Sequence, residues 1–185
     1  MEVPVTVNPL LIDVSNARTP DSVRRILVSG CLNGPPIRYN RTNVEVISPI
    51  WDRWAQEGRL VRFCAELATG FPIPRPPAEI RGGDGSNVRS GTGVVIEDTG
   101  ADVTEQFMEG AQMAVAHAVN SGCVAAVLTD GSPSCGSTYT YDGTFTGGTI
   151  NGTGVVAQLL IDKGIRVFPE TQLEQADQFI RRESA

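Results

Sequence analysis

The chain has 185 residues, of which 41% are hydrophobic and 19% are charged, so it can bury the core of one domain without disulfide bonds. Its formal net charge of −6 argues against a protein that binds a polynucleotide through clustered Lys and Arg, and favours a small, neutral or weakly charged ligand. The first residues lack a basic leader, and no stretch approaches the roughly 18 apolar residues of a membrane span. The composition predicts a soluble cytoplasmic protein.

Short apolar runs alternate with turn-rich segments in the N-terminal half. RRILVSG, residues 24–30, is typical of a buried strand, and RLVRFC, residues 59–64, predicts a second one. Between them the pattern predicts a helix over residues 43–57, where Ser48-Pro49 can instead mark a restart with serine as N-cap. The proline- and glycine-rich residues 71–93 predict a long ordered loop with a hairpin toward VVIE.

A long amphipathic helix follows. Asp102 and Glu105 resemble a capping box, and Gly122 lies near the predicted end of the helix. The apolar positions of one helical face are Val103, Phe107, Ala111, Ala114, Val115 and Ala118.

Two further strands and two helices are predicted beyond this point. CVAAVLT, residues 123–129, is a third strand, and a glycine-rich loop leads from it to the helix GVVAQLLIDK, which Gly164 can end. IRVF is a fourth strand, and Thr171 with Glu174 predicts the cap of a C-terminal helix. Strands separated by helices indicate a three-layer α/β fold, a Rossmann-like, mostly parallel sheet flanked by helices. The sequence has no repeats and no sign of a second domain.

Four cysteines are present, and in a reducing compartment they are expected to be ligands, nucleophiles or core residues more often than disulfides. Cys31, Cys64 and Cys135 come just after predicted strands, at the sheet edge where ligands of such folds bind. They can therefore converge although they are far apart in sequence. Cys123 begins a strand and is expected to be a small buried core residue.

The spacing of these cysteines excludes the usual zinc-ribbon and ferredoxin patterns, which contain a close C-x-x-C pair. Three separate strand ends can still hold a cubane 4Fe-4S cluster, with three irons ligated and one open. An open iron would favour Lewis-acid chemistry on a sulfur donor over electron transfer.

Two polar residues lie at useful offsets from the cysteines. Glu66 is two residues past Cys64, so in extended backbone the two share a face; Ser132 is three residues before Cys135, so in a turn they are neighbours. The alternative interpretation is that Glu66 is a solvated loop residue and Ser132 a turn former. The one histidine, His117, lies within the amphipathic helix, which disfavours a histidine-dependent triad or a histidine-rich metal site.

Several sequence blocks resemble, in order, the signature of the small thiouracil desulfidase family. The most specific are PRPPAEI and SPSCG, and the others are LVSGCLNGPPIRYN, FCAELATGFP, GADVTEQFMEGA, YDGTFTGG, and GTGVVAQLL with GIRVFPE. The resemblance covers about residues 25–170. It implies an N-terminal extension over residues 1–24, followed by a single iron–sulfur α/β domain over residues 25–185.

The resemblance also implies an activity and a site. Similar proteins carry a 4Fe-4S cluster on three cysteines, which correspond to Cys31, Cys64 and Cys135, and remove sulfur from thiouracil without net redox chemistry. Glu66 and Ser132 correspond to catalytic residues that assist a water in attacking the thiocarbonyl carbon, while the sulfur is bound to the open iron. The expected products are uracil and hydrosulfide, and the expected substrate is a small thiolated base or nucleoside.

The chain departs from many relatives at Ile37, Asn40 and Ala65, where cysteine, aspartate and proline are common. These departures leave the three-cysteine site intact and can mark a subgroup with another substrate. Two rival hypotheses remain from the sequence: a non-catalytic iron–sulfur sensor or sulfur carrier, and a cluster-free α/β binding domain with incidental cysteines.

Overall fold

The structure is a computed structural model that describes residues 23–182. All but the last two residues of the predicted extension, residues 1–24, lie outside this range, and the single-domain organisation stays a prediction. The elements in chain order are β1 (Arg25–Ser29), α1 (Pro49–Gln56), β2 (Leu60–Phe63), α2 (Ala65–Ala68), β3 (Ala78–Arg81), α3 (Gly85–Ser90), β4 (Val94–Glu97), α4 (Thr104–Asn120), β5 (Cys123–Leu128), β6 (Tyr139–Tyr141), β7 (Thr149–Asn151), α5 (Val155–Asp162), β8 (Arg166–Pro169) and α6 (Leu173–Arg182).

The centre of the fold is a four-stranded sheet in the order β2-β1-β5-β8, in which every pair of neighbours is parallel. All four strands predicted from apolar runs are in this sheet. Neighbouring side chains of a strand point to opposite faces, so Leu27 packs on one side, and Ile26 and Val28 on the other. Both faces are covered by helices, as a parallel sheet requires.

Each face has its own apolar core. Helices α4 and α5 cover one face and contribute Phe107, Ala111, Ala114, Val156 and Leu160. The opposite face is covered by α1 and α6, which contribute Trp51, Trp54, Leu173, Ala176 and Ile180. This arrangement confirms the predicted three-layer α/β fold. None of the described helices is long and apolar enough to cross a membrane.

The helix boundaries resolve two sequence ambiguities. Helix α1 begins at Pro49, and the Ser48 hydroxyl accepts a hydrogen bond from the Ile50 backbone N–H, so the restart is correct and the longer helix is wrong. The capping box at Asp102 is also wrong, because the N-cap residue of α4 is Val103. The Asp102 carboxylate still accepts a hydrogen bond from the backbone N–H of Thr104.

Two glycine-rich segments contain strands and a short helix that their amino-acid composition does not predict. Residues 71–93 hold β3 and the short helix α3, and β3 pairs with β4 as the predicted hairpin toward VVIE, with α3 inserted between its strands. The loop before α5 contains a second antiparallel pair, β6 with β7. Glycine weakens strand and helix propensity, so tertiary contacts with the rest of the domain determine these elements.

Asp177 joins α6 to α1 at the edge of the second core. Its carboxylate accepts hydrogen bonds from the Trp54 indole N–H at 3.0 Å and from Arg181 Nε at 2.8 Å, and it pairs with Arg53. Burial raises the pKa of Asp177, and the bonds from Arg53, Trp54 and Arg181 together lower it by more, so the folded-state pKa lies below its ordinary value of 3.8. The charged carboxylate therefore stabilises the folded state.

We expect Asp177→Asn to reduce the free energy of unfolding by about 1–3 kcal/mol at neutral pH, because a charged acceptor is lost. Because the pKa of Asp177 is lower in the folded state, the ionised carboxylate stabilises the fold at pH values above its unfolded-state pKa. This stabilisation is lost as the pH falls through the folded-state pKa. Urea unfolding at several acidic pH values should show that the free energy of unfolding depends less on pH in the variant than in the wild type. Glu174→Gln, an exposed position on the same helix, is the control, and an equal loss there would contradict the prediction.

Candidate active site

A cavity of about 200 Å³ opens at the carboxyl edge of the sheet, where β1, β2 and β5 end. Its wall contains residues that follow all three strands. Five of its lining residues are those that the sequence singled out: Cys31, Cys64, Glu66, Ser132 and Cys135. The structure therefore brings together residues that are up to 104 positions apart, from Cys31 to Cys135.

The register of the sheet positions the first two cysteines. Ser29, the last residue of β1, pairs with Phe63, the last residue of β2, so the chains leave the sheet at the same level. Cys64 follows Phe63 directly, and Cys31 lies two residues past Ser29. The Cys31 Sγ lies 3.2 Å from Thr129 Oγ1, the hydroxyl that directly follows β5.

Burial raises the pKa of all three thiols. The pKa of Cys64 is about 12, with the Glu66 carboxylate adding to the effect of burial. For Cys31 the hydrogen bond with Thr129 partly opposes the rise. Burial likewise raises the pKa of Cys135, the Ser29 hydroxyl opposes the shift, and the charges of Cys31 and Cys64 add to it. Without a cation these thiols are neutral, whereas a coordinating metal deprotonates such groups.

Glu66 is held in place by an arginine that the sequence did not single out. The Nε and Nη2 atoms of Arg75 both lie 2.6 Å from Glu66 Oε2, and the Arg75 side chain is 5% exposed. Arg75 Nη1 also donates to the carbonyls of Ile37 and Pro72 at 3.1 and 3.3 Å. This one side chain therefore ties the carboxylate to the backbone at Ile37 and Pro72, and within the described residues Glu66 Oε1 accepts no hydrogen bond.

Ser132 forms a turn around Cys135. Its Oγ accepts hydrogen bonds from the backbone N–H groups of Ser134 and Cys135, both at 3.1 Å. The turn thus fixes the separation between the hydroxyl and the thiol. A hydroxyl oxygen has two lone pairs, and with both engaged its remaining capacity is to donate the O–H proton.

The loop that carries Cys135 is held by hydrogen bonds at two places, to the Asp130 carboxylate and to the N-terminus of helix α5. Asp130 accepts hydrogen bonds from the backbone N–H groups of Ser137 and Thr138 at 2.8 and 3.0 Å. At the N-terminus of α5, Val155 and Val156 donate their N–H groups to the carbonyls of Pro133 and Ser134. The loop therefore satisfies helix donors that would otherwise be unpaired.

Close backbone packing explains two of the loop glycines. A Cβ atom on Gly136 would lie 2.6 Å from the Tyr139 carbonyl oxygen. A Cβ atom on Gly154 would lie 2.5 Å from the Ser134 carbonyl oxygen. Both distances are too short for any residue with a side chain, so glycine is required at both positions.

The remaining cysteine and the histidine lie outside the cavity, as predicted. Cys123 begins β5, is 8% exposed and belongs to the core beneath α4 and α5. His117 stacks on Phe63 with ring centroids 5.1 Å apart, and burial lowers its pKa. Within residues 23–182, no group of three or more His, Cys, Asp or Glu side chains is arranged around a single metal ion. In a cubane cluster each cysteine binds a different iron, so its ligands lie further apart than those of one ion.

The sequence matches the 2-thiouracil desulfurase family over residues 26–172. The chain belongs to this family. It is 45% identical over 150 residues to the uncharacterized protein YbbK of Bacillus subtilis (strain 168), covering 80% of this chain and 97% of YbbK. Among solved structures it is similar to the [4Fe-4S]-dependent thiouracil desulfidase TudS, with 39% identity, a TM-score of 0.77, and coverage of 85% of this chain and 98% of TudS. The family predicted from PRPPAEI and SPSCG is confirmed.

Three residues that contact the cysteines or Glu66 were missed by sequence reasoning: Ser29, Arg75 and Thr129. Arg75 carries the clearest signal in retrospect, because a lone arginine among four prolines in FPIPRPPAEI has few structural reasons to be there. Ser29 and Thr129 are ordinary strand-end residues, and only the register of β1 and β5 brings them to the thiols.

We expect Arg75→Met to lower the free energy of unfolding by about 3–5 kcal/mol, because it leaves the half-buried Glu66 without its cation. The matched control is Arg89→Met, which breaks the exposed ion pair with Asp162 and should cost at most about 1 kcal/mol. Urea unfolding monitored by tryptophan fluorescence measures both. Equal losses in the two variants would mean that the buried pair does not hold the site together.

Proposed function

We propose that the protein removes sulfur from a thiolated nucleobase, converting thiouracil to uracil and hydrosulfide without net redox change. The observation that carries the proposal is the convergence of three thiols, a carboxylate and a hydroxyl on one cavity. Family membership and the similarity to a [4Fe-4S]-dependent thiouracil desulfidase support it. Water supplies the new oxygen; one of its protons leaves with the sulfur as hydrosulfide, and the other is released to solvent. Sulfur keeps the electrons of the C–S bond, so no oxidant or reductant is consumed.

Cys31, Cys64 and Cys135 would hold a 4Fe-4S cluster. The donor set fits, because three thiols from three separate strand ends are soft ligands of the kind that iron–sulfur clusters use. The hydroxyls of Thr129 and Ser29 contact two of the sulfurs, which is the supporting hydrogen bonding typical of such sites. When bound, the cluster supplies a thiophilic Lewis acid that polarises the C–S bond.

In this proposal Glu66 is the base that accepts the proton of the attacking water. Arg75 occupies Oε2 and holds the carboxylate against the cavity wall, and Oε1 can accept the water proton. The Glu66 side chain is 18% exposed, so it reaches the cavity without being freely solvated. The ion pair with Arg75 fixes the orientation of the carboxylate that would receive the water proton.

Ser132 acts as a hydrogen-bond donor and not as a base. The Ser132 oxygen already accepts hydrogen bonds from two backbone N–H groups. The hydroxyl can therefore donate its proton to the attacking water or to the oxygen that forms on the nucleobase. A donor aimed at a developing charge stabilises the transition state. The same turn sets the distance between this donor and Cys135.

The proposed substrate is a free thiolated base or nucleoside in the cytoplasm. A reducing compartment keeps the cysteines as thiols, consistent with four free cysteines in the structure. The net charge of −6 disfavours a polynucleotide substrate.

Anaerobically reconstituted protein should desulfurise 2-thiouracil or 4-thiouracil, measured by loss of thione absorbance. We expect Glu66→Gln to lower kcat about 10²- to 10⁴-fold, since the proton acceptor is removed, while iron and sulfide content stay unchanged. Glu105→Gln, an exposed residue on α4, is the control. If neither thiouracil reacts although the cluster is present, the sensor or carrier hypothesis replaces the enzyme.

Cluster uptake separates the three proposed ligands from the fourth cysteine. Cys135→Ala should lose most of the iron and sulfide bound on anaerobic reconstitution, whereas Cys123→Ala should retain them, because Cys123 lies in the core away from the cavity. Iron and sulfide analysis and the visible absorption spectrum measure the difference. Equal uptake by both variants would leave the cysteines incidental, as in a cluster-free binding domain.

A further inference from the structure

Glu79 is a buried carboxylate in the cavity wall that the proposed mechanism does not use. It lies on β3, four residues beyond Arg75 in the PRPPAEI segment, and is 8% exposed. It lines the same cavity as the three cysteines and Glu66. A buried carboxylate is costly unless it is hydrogen-bonded or paired, so its partners indicate what it does.

One oxygen of Glu79 is fully engaged by the protein. Oε2 accepts hydrogen bonds from the backbone N–H groups of Gly143 and Phe145, both at 3.0 Å. These two residues belong to the turn between β6 and β7, and both adopt left-handed backbone conformations, with φ of 84° and 58°. The carboxylate is therefore fixed in orientation by a loop that is independent of the Glu66–Arg75 pair.

The other oxygen is available. Within residues 23–182, Glu79 Oε1 accepts no hydrogen bond, and no Lys or Arg pairs with the carboxylate. Arg75, the buried cation of the cavity, is engaged by Glu66. A fixed, negatively charged acceptor in a recessed cavity is suited to a ligand that presents an N–H donor, because charge-assisted hydrogen bonds are the stronger ones.

We propose that Glu79 Oε1 accepts a hydrogen bond from the ring N3–H of the thiolated pyrimidine and so selects bases with an N–H beside the thiocarbonyl. This inference rests on the proposed function. N3 flanks both C2 and C4, so the contact serves 2-thio and 4-thio substrates, and it remains in nucleosides, where N1 is substituted. Ser132 offers a donor and Glu79 an acceptor, which complements the alternating C=O and N–H groups on the edge of the base.

The test compares 2-thiouracil with its 1-methyl and 3-methyl derivatives, in reconstituted wild type and Glu79→Gln. For wild type we expect the 3-methyl compound to lose at least about 100-fold in kcat/KM, because a site that bonds an N–H rejects the analogue lacking it, and the 1-methyl compound to lose far less. Glu79→Gln should lower kcat/KM for 2-thiouracil about 10- to 100-fold. The penalty for the 3-methyl group should then nearly vanish, since the two changes remove the same contact.

Glutamine keeps an oxygen for the Gly143 and Phe145 N–H groups, so the fold and cluster content should be retained. Glu109→Gln, an exposed position on α4, controls for the loss of charge. An unchanged kcat/KM in Glu79→Gln, or the same 3-methyl penalty in wild type and variant, would overturn the inference. Equal kcat/KM values of the wild type for 2-thiouracil and its 3-methyl derivative would also overturn the inference, without data from any variant.

Failure of the proposed function is recognised separately. If wild type turns over none of these compounds, isothermal titration calorimetry with uracil and 3-methyluracil still decides the role of Glu79. Tighter binding of uracil to wild type, with the preference lost in Glu79→Gln, supports the contact in a binding protein. Equal binding of the two compounds, or binding of neither, refutes it.

Discussion

The pairing of β1 with both β2 and β5 is the interaction on which the site depends. Because Ser29 lies opposite Phe63 and Val28 lies opposite Val127, the three strands end at one level. Everything that follows them, from Cys31 and Cys64 to the loop beyond Thr129, starts from the same edge. A shift of one residue in either register would exchange the side chains of β1 between the two apolar cores, placing Leu27 on the face of Ile26 and Val28. The packing of both cores therefore keeps the three strand ends at the same level.

The same dependence on packing extends to the third cysteine. Carbonyl groups of the loop around Cys135 accept hydrogen bonds from the first N–H groups of α5. Helix α5 is itself buried through Val155, Val156, Ala157 and Leu160. Gly154 brings the helix close enough for this contact. The position of the Cys135 loop is therefore determined by a core helix, and the apolar residues of α5 contribute to the geometry of the site although none of them contains a reactive group.

The hydrophobic pattern of the sequence predicted those parts of the fold that depend on residues close together in the chain. The four strands of the central sheet have strong apolar signals, and a parallel sheet exposes the residues after them at one edge, so the convergence of Cys31, Cys64 and Cys135 followed without coordinates. The β6–β7 pair and α3 could not be predicted, because their glycine-rich sequences have weak intrinsic preferences. Arg75 and Glu79 bond to residues of other segments, such as Ile37 and Gly143, and no periodicity along one segment reveals such contacts.

The two sides of the cavity are fixed by different means. The inner side rests on the sheet and on α5, whereas the outer side, residues 37–41, is held to the rest of the domain by the hydrogen bonds that Arg75 makes to the carbonyls of Ile37 and Tyr39. Tyr39 is 39% exposed at this rim, and Arg38 lines the cavity beside it. Substitutions in this outer segment can therefore change what enters the cavity without moving the strand ends that position the cysteines.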